Sequence, residues 1–100
     1  MKVLLNEILI EAENFYTDYI TNKTTNEKLR VIGFTFKVTS QDYHKITTLL
    51  YENDFIINVP EENLVFSGII GSYSTSLTNL YHENEVGEFK LELVEKGNTQ

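Results

Sequence analysis

Apolar and polar positions alternate along two stretches of the chain. Within residues 29–38, Ile32, Phe34, Phe36 and Val38 fall on one face, with Val31, Gly33, Thr35 and Lys37 on the other. Within residues 88–95, Phe89, Leu91 and Leu93 alternate with Glu88, Lys90 and Glu92. A period of two belongs to antiparallel strands that bury one face and wet the other. Gly33, in mid-strand, marks a bend or bulge of the kind that curls a sheet. Shorter strands are predicted at Phe55–Val59 and at residues 64–70, with Pro60 and the run Glu61-Glu62-Asn63 as the turn between them. Lys2–Leu5 and residues 7–13 read as two strands, or as one strand interrupted near Asn6.

Residues 40–52 break this pattern. Tyr43, Ile46 and Leu50, with Leu49 beside them, form an apolar stripe at helical intervals, whereas Gln41, Lys45, Thr48 and Glu52 lie off it. Thr39 or Ser40 is placed to cap such a helix, and Asp42 follows Thr39 at the spacing of a short-armed capping box. Residues 21–28 contain nothing apolar and are predicted to form an exposed loop; residues 97–100 are predicted to fray. Residues 75–81 combine helical spacing of Leu77, Leu80 and Tyr81 with a Ser- and Thr-rich composition, so their state is open. The expected fold is mainly β: a small antiparallel β-barrel or strongly curled sheet of about six to eight strands, with one capping α-helix over residues 40–52.

Composition agrees with that reading. Alanine occurs once, against twenty-seven Val, Ile and Thr residues, whose side chains suit a pleated, half-buried surface. A chain of 100 residues makes one domain, residues 1–100, with one modest core. The absence of cysteine removes disulfide scaffolds, zinc ribbons and thiol nucleophiles from consideration. The net charge of −7 is uneven: residues 1–50 carry six charges of each sign, and residues 51–100 carry two basic and nine acidic groups. No Lys/Arg cluster is present to replace phosphate counterions, and the same acidic field repels an anionic membrane, so neither nucleic acid nor membrane is an expected partner. The longest apolar runs, Val3-Leu4-Leu5 and Ile8-Leu9-Ile10, are too short to span a bilayer or to serve as a signal peptide, and a cytoplasmic location is expected.

The segments VTSQDYHKITTLLYENDF (residues 38–55), NVPEENLVFSG (58–68), YSTSLTNLY (73–81) and EFKLELVE (88–95) resemble the YkvR-like family of small uncharacterised bacterial proteins. The strand at residues 29–38 fits the family more loosely. The resemblance implies one mainly-β, barrel-like domain with a single helix. It implies no activity, and it assigns no catalytic or binding residue.

The most unusual stretch is residues 72–84, where Ser, Thr, Asn, Tyr and His surround Leu77 and Leu80. One reading is a recognition surface built on Tyr73, Ser74, Ser76, Asn79 and Tyr81, since Tyr supplies rigid amphipathic area and Ser and Asn supply adaptable hydrogen bonds. The simpler reading is an ordered loop whose Ser, Thr and Asn side chains cap its own turns. A hydrolytic site with Ser74 or Ser76 as nucleophile and His82 as base lacks the G-x-S-x-G elbow after Gly71. His82, Glu83 and Glu85 lack the framework of a metal site, and no metal or other cofactor is expected. Glu61 and Glu62 read as a solvated turn, and His44 as a surface histidine. Gly68 and Gly71 have G-x-x-G spacing without basic neighbours, which fits a bend between strands.

Phe34, Phe36, Phe55, Phe66 and Phe89 are expected to fill the core, along with Tyr43 and Tyr51 on the helix. The chain therefore reads as a non-enzymatic protein-interaction module that contacts an unknown protein partner or forms a homo-oligomer. The alternative is a small barrel holding an apolar molecule among Phe34, Phe36, Phe66 and Phe89.

Overall fold

A two-residue turn at Asn6-Glu7 joins the first two strands, β1 (Lys2–Leu5) and β2 (Ile8–Glu11), with φ of 49° and 74° at its two residues. Paired positive φ values match the right-handed twist of a hairpin, and Asn is among the residues that tolerate them. The Asn6 side chain then serves β5 (Phe55–Val59): its amide donates to Asp54 O at 3.0 Å and its oxygen accepts from Ile56 N at 2.8 Å. The computed structural model describes residues 1–76 and 86–96. Within them lie four further strands, β3 (Glu13–Thr21), β4 (Lys28–Thr39), β6 (Leu64–Ser76) and β7 (Val86–Glu95), and one α-helix, α1 (Tyr43–Glu52).

The seven described strands form a single antiparallel sheet in the order β2-β1-β5-β6-β7-β4-β3. Its two end strands, β2 and β3, are separated in the chain only by Ala12, which is 5% exposed and whose N–H donates to Met1 O at 2.7 Å. That short connection pulls the two ends of the sheet toward each other. The described strand ladder nevertheless stays open, so the fold is a strongly curled sheet and the closed barrel is not realised.

The concave face carries the core. Ile32, Phe34, Phe36 and Val38 of β4 and Phe89, Leu91 and Leu93 of β7 are all at most 2% exposed, as their alternation predicts. Phe36 lies 5.8 Å from Phe34 and 5.5 Å from Phe89 between ring centroids, within the range of favourable tilted aromatic pairs. No side chain among the described buried residues is polar or charged. Fully burying each such aliphatic or aromatic side chain contributes roughly 1.5–3 kcal/mol, and this drives the sheet to curl around them.

Helix α1 seals one side of that face with Ile46, Leu49 and Leu50, all buried. It starts at Tyr43, where the apolar stripe begins, three residues later than the expected start of the helix at residue 40. Thr39 and Asp42 form a turn instead: Asp42 N donates to Thr39 Oγ1 and Thr39 Oγ1 to Asp42 Oδ2, each at 3.2 Å. The pair therefore holds the β4–α1 corner, and the N-cap position, Asp42, makes no capping bond through its side chain. Tyr43 and Tyr51 were expected in the core, yet they are 39% and 92% exposed. They lie one helical flank away from the buried stripe.

Two strands differ from expectation. β3 was not foreseen, and the predicted loop at residues 21–28 contracts to residues 22–27 because Thr21 and Lys28 pair as strand residues. β6 runs on to Ser76, so residues 72–76 extend a strand where an ordered loop was one reading. Gly71 is the extra residue of a bulge between Ile70 and Ser72 rather than a bend between separate strands. Residues 77–81, left open above, lie outside the described residues, as does the tail at 97–100.

Candidate functional site

Strand alternation alone would place Ile70, Ser72 and Ser74 on one face of β6. The bulge changes this. Ile70 pairs with Leu93, but Ser72 then pairs with Glu92 and Tyr73 with Leu91, so the extra Gly71 shifts the later residues by one. Tyr73 thereby joins the concave face, with its ring edge-on to Phe89 at a centroid distance of 5.8 Å. Ser72 and Ser74 turn to the convex face, where both are exposed.

Helix α1 presents a second row to the same region. Tyr43, Thr47 and Tyr51 stand four residues apart on one flank of the helix. Thr47 Oγ1 donates to Tyr43 O at 2.9 Å, and Tyr43 meets Phe89 edge-on at 6.2 Å. The helix ends at Asn53, whose φ of 49° puts it in the left-handed region and whose N–H donates to Leu50 O. Asn53 Oδ1 accepts from Ile70 N at 2.8 Å and ties the helix end to β6.

Between these elements lies a groove of about 410 Å³ lined by Thr47, Leu50, Tyr51, Asn53, Ile70 and Tyr73. Its floor is apolar and its polar groups are neutral: hydroxyls and an amide. Partial burial raises the Tyr73 phenol above its ordinary value, with a further upward push from Tyr43. Among the described residues that line the groove none is a carboxylate or an imidazole; they offer aromatic area and neutral hydrogen-bonding groups.

Of the residues singled out in the sequence, Tyr73 lies in this groove and Ser74 lies on the opposite face of the same strand. Ser76 is paired in register with Glu88. Asn79 and Tyr81 lie outside the described residues, together with His82, Glu83 and Glu85. Tyr73 and Ser74 are therefore not brought together. Sequence reasoning missed the helical side of the groove, although the Tyr43-Thr47-Tyr51 spacing was a signal for it. The four phenylalanines considered for an apolar ligand are at most 8% exposed, and the rings of Phe34, Phe36 and Phe89 pack in sequence on one another. Among the described residues no group of three or more His, Asp or Glu is placed to hold a metal ion, and no helix is long and apolar enough to cross a membrane.

The family model of DUF3219, a protein of unknown function, matches residues 2–100. The chain belongs to that family. It is also 44% identical over 96 residues to the uncharacterised protein YkvR of Bacillus subtilis (strain 168), covering 95% of this chain and 93% of that one. Membership thus reaches the N-terminal strands that the sequence motifs had left out. DUF3219 carries no assigned activity, so the roles of Tyr51, Tyr73 and Asn53 rest on geometry alone.

Proposed function

We propose that this DUF3219 protein is a non-enzymatic, cytoplasmic interaction module that receives a segment of a partner protein in the groove between α1 and β6. One observation carries the reading. Tyr51 and Tyr73, 92% and 46% exposed, flank an apolar floor that nothing in the described chain covers. Tyrosines at the rim of an apolar groove supply contact area at small entropic cost, and they recur in recognition surfaces for that reason. The nine acidic and two basic groups of residues 51–100 favour a partner with a basic flank, whose association weakens as salt rises.

A photo-crosslinking amino acid placed at position 51 tests this in lysate of the source cell. Discrete protein adducts are expected at position 51 but not at exposed Lys37, and they should disappear when Tyr73→Ala is added. Adducts of equal yield at both positions, or none at position 51, would remove the groove as the docking surface.

A further inference from the structure

The free side of β3 provides a second, separate surface. Beyond Val31, β4 has no pairing with β7, so Tyr19, Ile20 and Thr21 pair with Arg30, Leu29 and Lys28 as a two-stranded ribbon. Every residue of β3 from Tyr16 to Thr21 is exposed. β3 ends the sheet order, and among the described strands none lies on its far side, so its outward backbone N–H and C=O groups pair with no strand there. The Tyr19 N–H meanwhile donates to the exposed Asp18 Oδ1 at 2.8 Å, a local bond that a second strand would replace. A two-stranded ribbon is marginal in water, and a long edge is normally blunted by Lys, Pro or a bulge. From Thr17 to Thr21 this edge has none of these, and Asp18 is its only charge. The other end strand, β2, has only four residues.

We propose that a second copy of the chain pairs with β3, antiparallel across a two-fold axis centred on Tyr19. Side-chain parity limits the choices. Opposed residues in an antiparallel pair share a face, and the two-fold relates like faces, so the axis must pass at a residue. Centring on Asp18 sets two carboxylates against each other. Centring on Ile20 brings Asn22, already in the turn, into the ladder. Centring on Tyr19 uses all five residues: Thr17 opposes Thr21, Asp18 opposes Ile20, and Tyr19 opposes its twin. Each Tyr19 ring is already backed by Arg30, whose guanidinium carbon lies 4.9 Å from the ring centroid. Charge does not oppose the contact, because residues 1–50, which supply β3 and β4, carry six groups of each sign.

Sedimentation equilibrium of the full chain measures the association, and two pairs of variants read the register. Ile20 is 48% exposed, so the fold tolerates a charge there. Opposite the Asp18 of the second copy, Ile20→Lys should tighten the dimer and Ile20→Asp should weaken it, each by roughly tenfold, since the pair occurs twice. The protein has no cysteine, so Tyr19→Cys supplies one thiol that faces its twin at a Cα spacing within disulfide reach. Mild oxidation should link Tyr19→Cys chains covalently and leave Ile20→Cys chains largely unlinked. A monomer at every concentration for both wild type and Ile20→Lys overturns the proposal. So does a shift of the same sign for both Ile20 charge variants, or preferential linking through Ile20→Cys. The groove between α1 and β6 is untouched by all of these substitutions, so the two proposals fail separately.

Discussion

The Tyr16 hydroxyl on β3 donates to the Glu92 carboxylate on β7 at 2.7 Å, passing over the intervening strand β4. It spans that strand because Gly33 lies directly between the two in register, and a methyl built on Gly33 would overlap the Tyr16 ring. An aromatic ring laid over a glycine covers backbone that would otherwise face water. Gly33→Ala should therefore displace Tyr16 and cost about 1 kcal/mol, lowering the melting temperature by roughly 4–8 °C. In a Tyr16→Ala background the same substitution should cost nothing. A thermal-melt double-mutant cycle measures the coupling, and equal costs in both backgrounds would show the contact to be idle.

The same hydrogen bond, together with slight burial and the nearby charges of Glu92 and Asp18, holds the Tyr16 phenol above its ordinary value of 10.0. Tyr73 is raised too, chiefly by burial. A folded-state pKa above the unfolded one favours the protonated form on folding. The resulting stability is complete below the unfolded value and disappears as pH rises through the folded value. An alkaline absorbance titration should show the Tyr16 and Tyr73 phenols ionising above the ordinary value. Tyr16→Phe should remove one of them and flatten the loss of stability at alkaline pH.

Gly68 and Gly71 look equivalent in sequence but should respond differently to alanine. At Gly68 the added methyl would meet the backbone oxygen of Val94 and Ile57 Cδ1, each at 2.8 Å. At Gly71 it would meet Val94 Cγ2 at 2.5 Å, a half-buried side chain, with the nearest backbone atom, Glu92 O, at 3.6 Å. Gly68→Ala should cost about 2–3 kcal/mol in urea denaturation, and Gly71→Ala below about 1 kcal/mol.

Phe89 is fully buried and touches Phe36, Tyr43 and Tyr73 through its ring. Phe89→Ala should cost about 3–5 kcal/mol, a large share of the ~5–15 kcal/mol available to a domain of this kind. Tyr73→Ala loses one edge contact and a half-exposed ring, and should cost about 1 kcal/mol. Comparable losses for the two would mean that Tyr73 serves the core more than the groove.

Several elements were legible from residue order because their periodicity survives intact. β4 and β7 pair without a register shift, and their inward apolar positions Ile32, Phe34, Phe36, Val38, Phe89, Leu91 and Leu93 are all buried. α1 shows its buried stripe at Ile46, Leu49 and Leu50. β3 was hidden for two physical reasons. Its residues from Tyr16 onward are exposed on both faces, so no apolar alternation exists to be seen, and a bulge between Glu13 and Tyr16 breaks the period. The groove was half legible: Tyr73 stood out by composition, but its facing depends on Gly71 acting as an inserted residue.

Local preference, read residue by residue, settled the β class, the helix and the turn positions, because side-chain period and left-handed tolerance are properties of short segments. Among the described residues the non-glycine positions with positive φ are Asn6, Glu7, Asn14, Asn26, Asn53 and Asn63, five of the six being asparagine. No described glycine adopts positive φ; Gly33, Gly68 and Gly71 instead make room for atoms from other strands. That role, the open edge at β3 and the pairing of Tyr73 with α1 depend on which distant strands come together. Contacts between distant strands are fixed by packing around the shared core, and no window of neighbouring residues contains them.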